Sequence, residues 1–260
     1  MAPQAGILAF GAYLPRLRLQ RAAISAAHSW FAPGLSALAR GERAVADWDE
    51  DSITMAVEAA RDCLTGVDRT SIASLSLAST TLPFADRQNA GIVKEALNLP
   101  DAVGVLDVAG SQRAATSALI QALHAAAAVK GAQLCLTAEL RKARPASEAE
   151  LLQGDAAAAM LVGHGDLLAR FLGSYSLSVD FVDHFRASGV PLDYAWESRW
   201  IRDEGYIAII GKALADGMER LGVKPEAIDH LVLPIPIRGV AEAIAAAVGC
   251  RKQAIADTLL

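Results

Sequence analysis

The amino-acid sequence predicts an α/β fold with a buried sheet. Two observations predict this class: strand-like apolar runs alternate with helical patterns along all 260 residues, and one helix–loop–strand unit occurs twice. Apolar residues make up 53% of the chain and charged residues 20%, which is typical of a globular protein with a sizeable core.

The first half of the chain opens with an apolar, glycine-bounded run at residues 6–14, which predicts a buried first strand. Residues 51–64 place apolar side chains at helical spacing, with Asp51 or Ser52 positioned as the N-cap. Further strands are predicted at 71–80, 102–108, 132–139 and 156–163, with helices at 87–97 and 113–129 and a polar loop at 140–153.

The second half repeats part of this pattern. Strands are predicted at 171–180 and 230–237, and helices at 205–221 and 239–248. Residues 66–80 align without a gap on residues 222–236, an offset of 156. The two copies share Gly-Val, four polar or small residues, Ile, two residues and Leu-x-Leu, which favours an internal duplication. The alternative is that any helix–turn–strand connection produces such a match.

The offset implies two unequal halves, residues 1–165 and 166–260. Leu260 corresponds to position 104, so the second half has no counterpart of a strand, a long helix and two more strands of the first half. A sheet edge and an apolar surface are expected to remain uncovered. Either another chain or segment completes the fold, or the sequence is a fragment of a longer one.

Charge and composition exclude several classes of function. The net charge of −5 argues against nucleic-acid binding, which needs a basic face. The three cysteines lie far apart, which predicts a reducing compartment without disulfides, and no histidine or cysteine spacing predicts a metal site. No apolar run reaches about 18 residues, and the N-terminus lacks the basic region of a signal peptide, so we expect a cytoplasmic protein that does not insert into a membrane.

Several segments, in this order and spacing, resemble the hydroxymethylglutaryl-CoA synthase family of the thiolase superfamily, in its short archaeal and bacterial form. No single segment is a sharp motif, but together they cover nearly the whole chain. They are GILAFGAYLP from residue 6, AVADWDEDSITMAVEAARDCL at 44–64, LDVAGSQRAATSAL at 106–119, GDAAAAMLVG at 154–163 and GYIAIIGKALADGMERLGVKPEAIDHLVLP at 205–234.

The resemblance implies a thiolase-like fold, in which two duplicated βαβαβ halves form an αβαβα arrangement of layers. It also implies a Claisen-type condensation, in which a Cys is acylated by acetyl-CoA, a Glu moves the proton and a His helps to activate the second acyl-CoA. A thiolate suits this exchange of thioesters at neutral pH, and the oxyanions need hydrogen-bond donors. No covalently bound cofactor is implied, and acyl-CoA would be the substrate or ligand.

All three catalytic positions of the family are replaced in this chain. The nucleophile position falls on Gln112 at the start of the long helix, the Glu position on Thr80 and the His position on Pro234. Glutamine is no thioester nucleophile, threonine does not accept a proton near neutral pH, and proline has no titratable group. The resemblance therefore implies a catalytically degenerate member of the family.

Two residues could still act at the site. Ser111 is either a substitute nucleophile or a helix N-cap, a position that serine favours. Gln112 could stabilise an enolate without bonding to it, as in ketosynthase-like domains that decarboxylate malonyl thioesters and carry Gln in place of Cys. Those domains keep active-site histidines, and Pro234 argues against one here.

A basic cluster follows the strand predicted at 132–139. Arg141, Lys142 and Arg144 either bind the phosphates of CoA or form a solvated loop. Cys63 and Cys135 are predicted in the core.

The resemblance also implies partners. Relatives of this family occur in assemblies with a thiolase-like subunit and a protein, or fused segment, that contains a zinc ribbon and an OB-fold. We therefore expect a homodimer or hetero-oligomer in which this chain is a non-catalytic subunit of an acyl-CoA carbon–carbon bond forming or cleaving complex. The alternatives are an active condensing or decarboxylating acyltransferase that uses Ser111 or Gln112, and a passive acyl-CoA binding module.

Overall fold

The computed structural model describes residues 4–235, 237 and 239–257. The chain divides into two compact units, one formed by Met1–Arg141 with Pro145–Phe171 and the other by Lys142–Arg144 with Leu172–Leu260. No helix among the described residues is both long and apolar enough to cross a membrane.

Unit 1 is built on a six-stranded mixed sheet. Its strands are β1 (Gly6–Tyr13), β4 (Ile72–Ala78), β5 (Gly104–Val108), β6 (Ala132–Glu139), β7 (Ala156–Gly163) and β8 (Ala169–Arg170), in the spatial order β5-β4-β6-β7-β1-β8. β4 is parallel to both β5 and β6, and the remaining pairs are antiparallel. A separate two-stranded antiparallel sheet of β2 (Leu17–Gln20) and β3 (Glu42–Val45) lies in sequence between β1 and the first long helix.

Helices cover both faces of this sheet. Unit 1 contains the helices α1 (Arg21–Ala27), α2 (Ser52–Cys63), α3 (Asn89–Ala96), α4 (Ala114–Ala128) and α5 (Glu148–Leu152), of which α2, α3 and α4 pack on the six-stranded sheet. α2 and α3 pack on the face that carries Leu75, Leu134 and Leu136, whereas the alanines of α4 pack on the other face, around Cys135. The side chains of successive β6 residues thus point to opposite faces, and both faces are buried.

Two local features place α2 as the sequence predicts. Asp51, one of the two predicted N-caps, accepts hydrogen bonds from the backbone N–H groups of Ile53 and Thr54, and its own backbone N–H group donates to Thr54 Oγ1. Gly11 lets the helix approach β1 closely, because a Cβ atom at this position would lie 2.3 Å from the Cys63 backbone nitrogen.

Unit 2 is mainly helical. Its elements are β9 (His184–Phe185), β10 (Tyr194–Ala195), α6 (Ser198–Trp200), a π-helical stretch at Ile201–Ile210, α7 (Gly211–Leu221) and α8 (Val240–Ala247). The predicted helix at 205–221 therefore begins earlier, at Ser198. Glu197 supplies the N-cap, since its carboxylate accepts the N–H groups of Arg199 and Trp200 at 3.0 and 2.8 Å.

The prediction of a strand at 171–180 is wrong. β8 pairs antiparallel with the first residues of β1, and its last bond runs from the Phe171 N–H group to the Ala5 carbonyl oxygen at 3.0 Å. Beyond Phe171 the chain has moved past the beginning of β1, and residues 172–180 form no strand.

The prediction of a strand at 230–237 is also wrong for the residues of this range that the structure describes. Pro236 lies outside the described residues. Only Leu231 forms a bridge, parallel to Ile255, with hydrogen bonds at 2.6 and 2.9 Å. The chain then turns at Pro234, where the Ile235 N–H group donates to the Leu233 carbonyl oxygen at 2.8 Å. The polar loop predicted at 140–153 contains the short helix α5, which Ser147 caps.

The duplicated segment is visible in both units. Gly66 and Gly222 both adopt positive φ angles, +75° and +64°; Gly222 directly follows α7, and Gly66 lies three residues after the end of α2. A 3₁₀ turn follows each, at Arg69–Ser71 and Pro225–Ala227, positions that differ by the same offset of 156. The local structure of the two copies therefore agrees up to the point where the strand should begin.

Candidate functional site

The candidate site lies at the carboxyl edge of the parallel strands in unit 1. Ala78 pairs with Val108 on β5 and with Thr137 on β6, so the three strands end side by side. The Ser79 N–H group donates to the Val108 carbonyl oxygen at 3.0 Å, which ties the turn after β4 to the end of β5. Ligand sites of open α/β sheets lie at such an edge, and three of the predicted site segments follow these strands.

Thr80 lies in direct contact with a carboxylate that the sequence analysis did not single out. Glu139, the last residue of β6, accepts the Thr80 N–H group at 2.7 Å through Oε1 and the Thr80 hydroxyl at 2.9 Å through Oε2. The signal was present in the sequence, because Glu139 ends the strand predicted at 132–139. The parallel pairing of β4 and β6 then brings it beside Thr80.

The neighbouring hydroxyls complete a compact polar network. Thr81 Oγ1 donates to Glu139 Oε2 at 3.2 Å and accepts the Leu140 N–H group at 3.0 Å. The Thr81 N–H group donates to Ser79 Oγ at 2.9 Å. Three donors thus surround the Glu139 carboxylate, and the turn at residues 79–81 is held to the end of β6.

The turn before α4 presents Ser111 and Gln112 on the surface, and both residues are exposed. Ser111 is not the N-cap residue, because the helix begins at Ala114 with Arg113 at that position. Ser111 Oγ instead accepts the Arg113 N–H group at 3.2 Å, one turn ahead of the helix. No histidine, lysine or carboxylate among the described residues hydrogen-bonds to Ser111 Oγ, so no base activates it there.

The basic cluster begins two residues after Glu139 in sequence, with Arg141 in unit 1 and Lys142 and Arg144 in unit 2. Arg141 is half-buried, and Lys142 and Arg144 are exposed. Pro234, the third of the positions taken from the family resemblance, lies in unit 2, where it is exposed at the centre of the turn between Leu233 and Ile235.

None of the three cysteines resembles an activated nucleophile. Cys63, Cys135 and Cys250 are buried, as the sequence analysis expected of the first two. Burial raises the pKa of the Cys63 thiol to about 11, and it also raises the pKa values of Cys135 and Cys250. Thiols with raised pKa values carry little thiolate at neutral pH and are poor nucleophiles.

Sequence comparison identifies curated relatives along most of the chain. No protein-family model matches. The hydroxymethylglutaryl-CoA synthase of Methanocaldococcus jannaschii is 30% identical over 240 residues, which cover 89% of this chain and 68% of that protein. The synthase of Pyrococcus furiosus is 28% identical over 260 residues, with 98% and 73% covered.

Solved structures confirm the predicted thiolase-like fold. OleA of Xanthomonas campestris superposes with a TM-score of 0.85 at 18% identity, over 98% of this chain and 83% of OleA. The β-ketoacyl-[acyl carrier protein] synthase III of Thermus thermophilus gives 0.79 at 22% identity, over 96% and 83%. MvaS, solved in complex with 3-hydroxy-3-methylglutaryl coenzyme A, gives 0.79 at 20% identity, over 95% of this chain and 63% of MvaS.

Proposed function

Since this chain belongs to the hydroxymethylglutaryl-CoA synthase family, a family of acyl-CoA condensing enzymes, we propose that it is a non-catalytic subunit of a complex that forms or cleaves a carbon–carbon bond next to an acyl-CoA thioester. One observation carries the proposal. The carboxyl edge of the parallel strands, where the family nucleophile would lie, presents Gln112, and all three thiols are buried elsewhere with raised pKa values.

The other two replacements support the same conclusion. The backbone N–H group and the hydroxyl of Thr80 both donate hydrogen bonds to Glu139, and Thr80 supplies no acid or base of its own. Pro234 cannot take the role of a histidine. A subunit of this kind would contribute acyl-CoA contacts or structural support, with Arg141, Lys142 and Arg144 as candidates for the CoA phosphates. Its partners would be a thiolase-like subunit and a zinc-ribbon/OB-fold protein or segment, in a hetero-oligomeric assembly that can contain this chain as a homodimer.

A second candidate function is an active condensing or decarboxylating enzyme that uses Ser111 or Gln112. The observation in its favour is Glu139, because this carboxylate lies 2.9 Å from Thr80 Oγ1 and brings a group that can accept a proton to the site. Its two oxygens are already bound by three donors, which is why we rank this function second.

Acylation of the protein tests the proposal. The chain is incubated with acetyl-CoA, and its intact mass is measured beside the variants Gln112→Cys, Ser111→Ala and Glu139→Gln. We expect no acyl adduct on the wild-type protein, whereas an adduct on Gln112→Cys would show that acyl-CoA reaches the position. In the native assembly, Ser111→Ala and Gln112→Ala should change turnover by no more than a few-fold.

Two results would overturn the non-catalytic assignment. The first is a wild-type adduct that disappears in Ser111→Ala. The second is turnover by the isolated chain that Gln112→Ala or Glu139→Gln abolishes. Native mass spectrometry of the untagged protein from its own cells provides the independent measurement, since a mass shared with a thiolase-like chain supports a subunit and multiples of 27.2 kDa alone contradict it.

A further inference from the structure

The turn between β3 and α2 in unit 1 displays a tryptophan almost completely to solvent. Trp48 is 92% exposed, more than any other large apolar residue for which exposure is described. Four carboxyl residues surround it in sequence: Asp47, Asp49, Glu50 and Asp51. A side chain that is costly to expose therefore lies at the centre of an acidic turn.

The turn that exposes Trp48 is not a loosely held loop. The backbone N–H group of Trp48 donates to Asp47 Oδ1 at 2.7 Å, and the backbone N–H group of Asp47 donates to Glu50 Oε2 at 2.7 Å. The Glu50 N–H group closes the turn on the Asp47 carbonyl oxygen at 3.1 Å. The backbone on both sides of the indole is thus fixed by hydrogen bonds.

The turn is also tied to three neighbouring elements. Glu50 accepts the Tyr13 hydroxyl on β1, and the Ala46 N–H group donates at 2.9 Å to Asp155, directly before β7. Asp51 caps α2. A side chain presented from such a turn loses little conformational freedom on binding, which is the property of a pre-organised interface anchor.

The charges around Trp48 select the kind of partner. Asp47 and Asp49 are exposed, and they would repel anionic lipid and nucleic acid. The chain itself carries a net charge of −5, so a second copy is a poor electrostatic match for an acidic turn. A protein whose apolar pocket is bordered by Lys or Arg fits both the indole and its surroundings.

We propose that Trp48 and its flanking carboxylates form a docking site for a different protein, which receives the indole in an apolar pocket with a basic rim. The site is built from the turn at Ala46–Asp51 alone. It does not depend on the proposed loss of catalysis, so either inference can fail while the other holds.

Photo-cross-linking in the native cells tests this site. p-Benzoylphenylalanine replaces Trp48 in the full chain, and the linked peptides are identified by mass spectrometry. We expect one main product with a different protein, attached to a segment rich in Lys or Arg. The matched control places the same probe at Trp30, which is 82% exposed but has no acidic neighbour in sequence, and we expect it not to capture that protein.

Binding measurements with the identified protein then separate the two parts of the site. Trp48→Ala should weaken binding at least about tenfold. Asp49→Asn should weaken it up to about fivefold at low salt and have no effect near 1 M salt, where charges are screened beyond about 3 Å. Both side chains are exposed, so neither substitution should change the thermal unfolding midpoint.

Several outcomes would overturn the proposal. These are cross-links to a second copy of this chain or to lipid only, no cross-link at all, equal capture of the same protein from position 30, or unchanged affinity of Trp48→Ala.

Discussion

The two copies of the repeated segment have nearly the same local structure but end in different states. In unit 1 the helix, the positive-φ glycine and the 3₁₀ turn lead into β4, which pairs with β5 on one side and β6 on the other. In unit 2 the same succession leads to Leu231, whose bridge to Ile255 is the only strand pairing that the described residues of this segment form. The helical part of a repeat therefore forms from local interactions, whereas the strand forms only beside neighbouring strands.

The repeat continues after the strand. The end of α3 and that of α8 are alike, since the Leu99 N–H group donates to the Lys94 carbonyl oxygen and the Cys250 N–H group donates to that of Ala245. These positions differ by 151 instead of 156, so the repeat after the strand is five residues shorter in unit 2. Among the described residues, Ile255 after α8 is then the only one that bridges Leu231.

Truncation of equivalent leucines is expected to give the largest difference between the two units. Leu75 in β4 is 1% exposed, and its repeat counterpart Leu231 is 6% exposed. Leu75→Ala should cost about 3–5 kcal/mol, because helices and strands surround the cavity on all sides. Leu231→Ala should lower the free energy of unfolding by about 2 kcal/mol, at the low end for such changes, because Leu231 has fewer neighbours that are held in regular structure.

Urea denaturation with hydrogen exchange of peptides from each unit measures both costs separately. Equal costs would contradict the comparison, since they would mean that residue 231 is packed as firmly as β4.

Substitution of alanine for the equivalent glycines of the two repeat copies tests the turn that the copies have in common. Gly66 and Gly222 have positive φ angles, and nothing lies within 4 Å of an added Cβ atom at either position. Gly66→Ala and Gly222→Ala should each cost about 1 kcal/mol, because the left-handed conformation is strained for alanine. Gly211 in α7 has a helical φ of −56° and equal space, so Gly211→Ala should stabilise by up to about 1 kcal/mol in the same denaturation experiment. A much smaller cost at Gly222 than at Gly66 would show that the two turns are not equivalent.

Two carboxylates should respond to pH in opposite directions: Asp155, which is buried in unit 1, and Asp183, which is half-buried in unit 2. Burial raises the pKa of Asp155 above 3.8, so its ionisation costs folding free energy, and that cost appears as the pH rises through the raised pKa. Burial also opposes ionisation of Asp183, but hydrogen bonds from His184 and Tyr206 and the charge of His184 outweigh it and lower the pKa. Asp183 therefore stabilises the fold above pH 3.8, and this contribution is lost as the pH falls through the lowered pKa.

The smallest effect is expected from asparagine variants of these two residues. Their free energies of unfolding are measured between pH 7 and pH 3. Asp155→Asn should be at least as stable as wild type at pH 7, with an advantage that shrinks as the pH approaches 3.8. Asp183→Asn should be less stable, with a deficit that persists to about pH 3.8 and shrinks only below it. Asp86→Asn, on the surface, controls for the loss of one charge. The same pH profile for both variants would refute the assignment of opposite shifts.

The sequence located most of the regular elements of unit 1. The predicted bounds of β6 and β7 agree with the structure, and α2 begins beside Asp51, as its capping pattern predicts. The pair of β2 and β3 was missed, because each strand has only four residues and most of them are exposed. The start of α6 was missed because Glu197 acts as an N-cap, a position at which Ser, Thr, Asp and Asn are the usual signals.

The candidate site was predictable only in part. The positions of Thr80 and Gln112 follow from the resemblance, since they are read along the chain. Glu139 was not recognised, although it ends a correctly predicted strand, because its contact with Thr80 spans 59 residues and depends on the parallel pairing of β4 with β6.

The sequence by itself determined the longer helices, the Asp51 cap of α2 and the residues that stand at the family's catalytic positions. These depend on interactions between residues a few positions apart, such as the Asp51–Thr54 capping pair. Tertiary structure alone decided that residues 72–78 become a strand and residues 230–235 do not. A strand satisfies its backbone hydrogen bonds with other segments of the chain, so the same pattern forms a strand in unit 1 and a single bridge in unit 2.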